Sequence, residues 1–398
     1  FARRRERILH DRRSRDIPYA GRKTFFMKYI FFGTHDFSLI ILNALVEADY
    51  KPVLVITAPD KPKGRGRVLT RSPVKVFAEK QKIPFIQPAT LKNQNVAETI
   101  AVLQPDLFVV AAYGKIIPKP VLDIPKRGGL NVHPSLLPCY RGPSPIQAAI
   151  LNGDETTGVT VMLMDEEMDH GPILAQATSN IQCQTQSARF AKASARRVIE
   201  CWTAEKLFKQ LAKLGAQLLI KTIPKWLNNE ITPQEQNHAK ATYTKIITKE
   251  DGHIDWRKSA EEIERMTRAY TPWPSAWTML KQDEKNLRVK ILRARAISSF
   301  DIEISKYKNI EHIPPDMSKY KNTEHFLHDI SKYQHIEHAF GEPGTITKQN
   351  SDLPVRQAGL LVACGEGLLR IEELQVEGGK PMTGKEFLAG YQKIQCFC

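Results

Sequence analysis

From Met27 onward, short apolar runs alternate with longer stretches in which apolar positions recur at helical spacing. Tyr29–Phe32, Val53–Thr57, Pro84–Ile86, Leu107–Ala112, Leu130–Val132 and Thr160–Met164 read as strands. Ser38–Glu47, Val74–Lys82 and Pro145–Asn152, lying between them, read as helices. Strand–helix alternation with short connections predicts an α/β domain: a mostly parallel sheet, helices on both faces, right-handed crossovers. In such sheets ligands bind beyond the carboxyl ends of the strands, near a topological switch.

The pattern changes past residue 228. Residues 229–240 are polar and without period, as suits a linker. After Trp256, Pro272, Trp273 and Pro274 come short alternating runs, Val289–Leu292, Gly344–Ile346, Leu360–Ala363 and Leu368–Leu374, separated by glycine turns. They predict a small β-barrel or sandwich over 241–398. Three stretches stand apart. Residues 1–26 carry nine Arg or Lys against three acids and no apolar core, so they read as a disordered extension ahead of a start at Met27. Residues 183–201 form a basic insertion. Residues 300–340 contain Ser305–His312 repeated as Ser318–His325 and Ser331–His338, a 13-residue period. That is shorter than the common solenoid units, and Pro314 and Pro315 break any continuous helix, so the repeat is expected to loop out.

Composition narrows the class. The longest strongly apolar stretch, Leu107 to Tyr113, is seven residues, against roughly 20 for a bilayer span; no membrane partner is expected. The 58 Lys and Arg against 43 Asp and Glu leave a net charge of +15, which favours a polyanionic partner. Six sparse cysteines without a CxxC pair predict neither a disulfide framework nor a thiolate zinc site, and a cytoplasmic location by default.

Gly33-Thr34 lacks the spaced glycines of a dinucleotide site, and no Walker A phosphate-binding loop, GxxxxGK followed by Ser or Thr, occurs. The informative stretch is Gly129–Gly142. Asn131 and His133, two apart at a strand end, fall on one face. An amide able to hold a developing oxyanion beside a base of near-neutral pKa suits acyl transfer. The turn Met164–Leu174 supplies a carboxylate to orient the histidine, and position alone leaves Asp165, Glu166 and Asp169 open. The loop Asp60–Pro73, with Lys61, Lys63, Arg65 and Arg67 around two glycines, suits a phosphate backbone. His335-x-x-His338 has metal-like spacing, but it is copied within the repeat, and no metal is expected.

Together these pieces resemble the methionyl-tRNA formyltransferase family from Met27 to Tyr391: Gly33-Thr34, the basic loop, Tyr113-Gly114, Asn-Val-His-Pro-Ser-Leu-Leu-Pro at 131–138, Gly158-Val159-Thr160, Met168-Asp169-His170-Gly171 and Leu374–Met382. The resemblance implies an α/β fold: an N-terminal Rossmann-like parallel-sheet formyltransferase domain over 27–228, and an OB-like tRNA-binding barrel over 241–398. It implies transfer of the formyl group of 10-formyltetrahydrofolate to the α-amine of initiator methionyl-tRNA, by a monomer. Asn131, His133 and Asp169 would be catalytic. Ser135, Leu136, Leu137 and Pro138 would bind folate, and Lys61, Lys63, Arg65 and Arg67 would approach tRNA. A nucleotide-sugar N-formyltransferase, lacking the basic loop, and a catalytically impaired tRNA-binding homologue are the alternative readings. The chain departs from the pattern at His35, Glu167 and His170, where proline, glycine and threonine are usual. A left-handed backbone at 167 would strain a glutamate there.

Overall fold

The computed structural model describes residues 27–63, 66, 68–186, 198–282, 285–297, 342–346, 360–391 and 396–397. The expectations for residues 1–26, for Arg65 and Arg67, for the middle of the insertion and for the repeat at 300–340 lie outside the described residues.

The N-terminal half runs β1 (Tyr29–Gly33), α1 (Asp36–Glu47), β2 (Leu54–Ile56), the hairpin β3 (Lys61–Lys63) and β4 (Val68–Thr70), α2 (Pro73–Lys80), β5 (Phe85–Ile86), α3 (Gln94–Val102), β6 (Leu107–Ala111), α4 (Lys119–Leu122), β7 (Gly129–His133), α5 (Pro145–Asn152), β8 (Thr156–Leu163) and β9 (Ile173–Asn180). The main sheet has the order β5-β2-β1-β6-β7-β8-β9. Its pairings are parallel from β5 through β7 and antiparallel for β7-β8 and β8-β9. Every residue of β1 is buried, as expected of a strand covered on both faces. Tyr29 and Phe31 join one apolar cluster, Ile30 and Phe32 the other. The period-two alternation thus divides the core between the two faces.

The hairpin β10 (Gln184–Gln186) and β11 (Val198–Glu200) then leads to α6 (Ala204–Leu227). Pairing Gln184 with Glu200 brings Cys183 and Cys201 to a Cα separation of 4.2 Å, and they form a disulfide. The expectation of no disulfide is corrected here: the spacing of 18 residues hid a proximity that the hairpin creates. Helix α6 has 24 residues and buries Leu207, Leu211, Gly215, Leu219 and Ile223 at helical spacing. Gly215 lets it lie close on the sheet, since a Cβ there would stand 2.7 Å from Cγ1 of Val132.

The second half comprises α7 (Ala260–Tyr270), β12 (Ala276–Gln282), β13 (Lys285–Ile297), β14 (Leu360–Ala363), β15 (Leu368–Val376), β16 (Met382–Thr383) and α8 (Gly384–Gly390). Ser259 with Glu262 and Thr383 with Glu386 close capping boxes on α7 and α8. The antiparallel order is β12-β13-β15-β14, with β16 beside β15. Single bridges Ile346–Val362, Thr345–Cys396 and Leu280–Phe397 complete the circuit back to β12. The barrel expectation holds, although Gly344–Ile346 contributes bridges and not a full strand. Helix α7 docks the barrel on the first domain: Arg265 donates to the Leu151 carbonyl at the end of α5, and Arg268 to that of Trp202 before α6.

Candidate active site

Strand β7 carries Asn131 and His133 out of the middle of the sheet, and Pro134 turns the chain away. Because β8 runs antiparallel to β7, its end lies beside the start of β7, where Met164 N–H donates to the Gly129 carbonyl. The loop between β8 and β9 therefore doubles back to reach the histidine. Asp169 does so with a left-handed backbone, φ +52°. Glu167 is not among the residues of positive φ, so the departure from glycine there strains nothing.

The structure brings Asn131, His133 and Asp169 together. Asn131 Nδ2 donates to Asp169 Oδ1 at 3.2 Å, and His133 Nδ1 faces the same oxygen at 3.5 Å. The backbone N–H of Gly142 donates to Asp169 Oδ2 at 2.8 Å. His133 is buried, and its Nε2 lies 2.9 Å from the Tyr140 carbonyl. A carbonyl only accepts, so Nε2 carries the hydrogen and Nδ1 is left toward Asp169. Tyr140 is itself anchored: its phenol donates to Asp154 at 2.7 Å and accepts from Asn152 at 2.8 Å. Partial burial and the Asp154 bond push that phenol up to about 12.

Of the three acids left open, Asp169 is the one set against Asn131 and His133, while Glu166 lies 3.6 Å from Lys119. Asp165 Oδ2 is engaged by His170 Nδ1 at 2.6 Å, and the His170 ring stacks on His238 at 4.1 Å between centroids. A cavity of about 700 Å³ adjoins this loop, lined among others by Lys119, Leu122, Met164, Asp165, Glu167 and His170. Ser135–Pro138 lie elsewhere. Ser135 is buried with its hydroxyl donating to the Cys139 carbonyl, and the Leu137 N–H donates to Thr160 Oγ1. Lys61 is exposed on the β3–β4 hairpin, whose Val68 and Leu69 also face outward. Sequence reading missed Gln236. It is buried within a segment of linker composition, and it donates to the Asp169 and Gly171 carbonyls. No local signal marks it. Among the described residues no group of three or more His, Cys, Asp or Glu side chains is placed to hold a metal ion.

Residues 27–202 match the formyl transferase family model, and residues 246–392 match that of the formyl transferase C-terminal domain. Fold and site thus define a two-domain formyl transferase. The chain is 38% identical over 365 residues to a methionyl-tRNA formyltransferase of Chloroflexus aurantiacus, covering 92% of this chain and 97% of that protein. It is 48% identical over 252 residues to one of Chloroflexus aggregans, 63% of this chain and 76% of the relative. The chain belongs to the methionyl-tRNA formyltransferase family. Among solved structures, an N-formyltransferase from Helicobacter canadensis, in complex with folinic acid and dTDP-3-aminofucose, shares the fold. It has a TM-score of 0.53 at 17% identity, covering 87% of this chain and 98% of that one.

Proposed function

We propose that this protein transfers the formyl group of 10-formyltetrahydrofolate to the α-amine of methionine esterified to initiator tRNA. The observation that carries the reading is the meeting of Asn131, His133 and Asp169 at the end of a central strand, in a chain of this family. The amine attacks the formyl carbon, a carbon–nitrogen bond forms, and the carbonyl oxygen takes up negative charge. Asn131 Nδ2 has a second hydrogen beyond the one given to Asp169, available to that oxyanion. The bond from the formyl carbon to N10 then breaks. The proton lost by the amine passes to N10 through the His133 Nδ1–Asp169 pair, whose proton lies between them when shared. Ser135–Pro138 would shape the donor side through their backbone.

The acceptor's phosphates would meet the basic β3–β4 hairpin, Lys61, Lys63, Arg65 and Arg67, and the barrel, in keeping with the net charge of +15. The proposal carries with it a cytoplasmic location, alongside the translation machinery that would use the product. The test is formylation of charged initiator against charged elongator methionine tRNA with the folate donor. Product with an amino-sugar nucleotide and none with either tRNA would overturn the reading.

A further inference from the structure

Between the two formyl transferase matches lie residues 203–245, a stretch that neither covers. Part of it runs over the site: Arg141 N–H donates to the Thr242 carbonyl and Thr244 N–H to the Arg141 carbonyl. Arg141 is 1% exposed, a charge that burial would penalise without full pairing. Its guanidinium gives Nε and Nη2 to Gln236 Oε1 at 3.2 and 2.8 Å. It also meets His238 Nδ1 at 2.8 Å and the Tyr243 hydroxyl at 3.2 Å. With its oxygen claimed by Arg141, Gln236 can point only its NH2 the other way. That group donates to the carbonyls of Asp169 and Gly171 at 2.9 and 2.8 Å.

Those two carbonyls flank the one turn in which Asp169 takes a conformation disfavoured for a residue with a Cβ. The next residue after Arg141, Gly142, holds the Asp169 carboxylate from the other side. Side chain and backbone of Asp169 are therefore gripped by one dipeptide, directly through Gly142 and through Gln236 from Arg141.

We infer that Gln236 is a positioning residue for formyl transfer: held by the buried Arg141, it fixes the Asp169 backbone so that the carboxylate meets both Asn131 and His133. The inference rests on the formyl-transfer reading. It makes the inter-domain connector part of the reaction machinery. A misplaced group of about an ångström can cost a hundredfold in rate without touching substrate, and Gln236 itself reaches none of the reacting atoms.

The experiment compares Gln236→Glu and Gln236→Met with the wild-type full chain. Glutamate keeps the length and the acceptor for Arg141 but has no donors for the two carbonyls; methionine keeps the volume alone. Kinetics with charged initiator tRNA and the folate donor, the pH profile of kcat, and thermal unfolding are measured together. The expected result is a fall in kcat of about tenfold or more in both variants, with each KM within about twofold of wild type. The pH profile should shift, and both variants should fold. A kcat unchanged in Gln236→Glu, a loss carried by KM, or failure of both variants to fold would overturn it, the last by making Gln236 a residue of the fold. A wild-type chain without formyl transfer to tRNA would instead sink the reading beneath it.

Discussion

The imidazole of His133 hangs by its Nε2 from the backbone carbonyl of Tyr140, 2.9 Å away, so the nitrogen it turns toward Asp169 is Nδ1. Tyr140 has φ +60°, and its phenol is tied to Asp154 and Asn152 near the end of α5. The anchor of the histidine is thus set by a side chain pointing the other way. Tyr140→Phe removes both phenol bonds and leaves the ring. We expect kcat to fall while folate binding is retained, checked by steady-state kinetics and titration with a folate analogue. Unchanged kcat would mean that the carbonyl holds its place without the phenol.

The same phenol gives a pH prediction. Burial and Asp154 raise its pKa from 10.0 to about 12, so the folded state prefers the neutral form. Its contribution to stability is complete below pH 10.0 and is lost as pH rises through the folded value near 12. Tyr113, buried against Phe32, adds a second phenol raised to about 12 by desolvation. Stability measured by urea unfolding should therefore decline above about pH 10, and less steeply in Tyr140→Phe. Parallel curves for the two proteins would refute the assignment.

Asn131→Ala should leave the fold intact and lower formyl transfer by about a hundred- to a thousandfold, the usual cost of one oxyanion donor. His133→Ala and Asp169→Ala should be severe too. The double variant should be much less than multiplicative, because the two groups share one contact, Nδ1 to Oδ1 at 3.5 Å. Retention of more than about half the activity in Asn131→Ala would remove it from the role of oxyanion donor.

What the sequence discloses follows from what is local in it. Asn131 and His133 share a strand face at a spacing of two, so period-two reasoning pairs them. Asp169 shares no such spacing. Its selection over Asp165 depends on His170 capturing Asp165 and on a loop doubling back along an antiparallel strand, and alternation of apolar runs is blind to strand direction. Gln236 lies in a stretch whose polarity reads as linker, yet it is buried because both polar atoms of its amide have found partners 65 to 95 positions away in the chain. The disulfide between Cys183 and Cys201 was hidden for the same reason.

Gly215 sits under β7, the strand that carries Asn131 and His133. A Cβ there would meet Val132 Cγ1 at 2.7 Å and Val159 Cγ1 at 3.1 Å, and Val132 lies between Asn131 and His133. Gly215→Val should destabilise by about 1–3 kcal/mol, the cost of overpacking a filled interior. It should also lower kcat, since a push on Val132 displaces the strand that carries Asn131 and His133. Denaturant midpoints at constant m-value test the first part. An unchanged midpoint would show that α6 and β7 have room that the geometry denies them.

The thiols offer a chemical map of which parts stay closed. Cys364 is buried in the barrel, its Sγ within 3.8 Å of the Val362 carbonyl, and desolvation raises its thiol to about 12. At pH 7 the thiolate, which is the reactive form, is then scarcely populated. Cys139 is exposed on the turn after Pro138, and Cys183 and Cys201 are bonded to each other. Iodoacetamide at neutral pH should therefore label Cys139 in the native protein and Cys364 only after unfolding. Cys183 and Cys201 should be labelled only after reduction. Site-resolved mass spectrometry reads all four. Barrel closure through the bridges of Ile346 to Val362 and of Phe397 to Leu280 keeps reagent from Cys364. Labelling of Cys364 at the rate of Cys139 would mean that those single bridges open far more often than the strands they join.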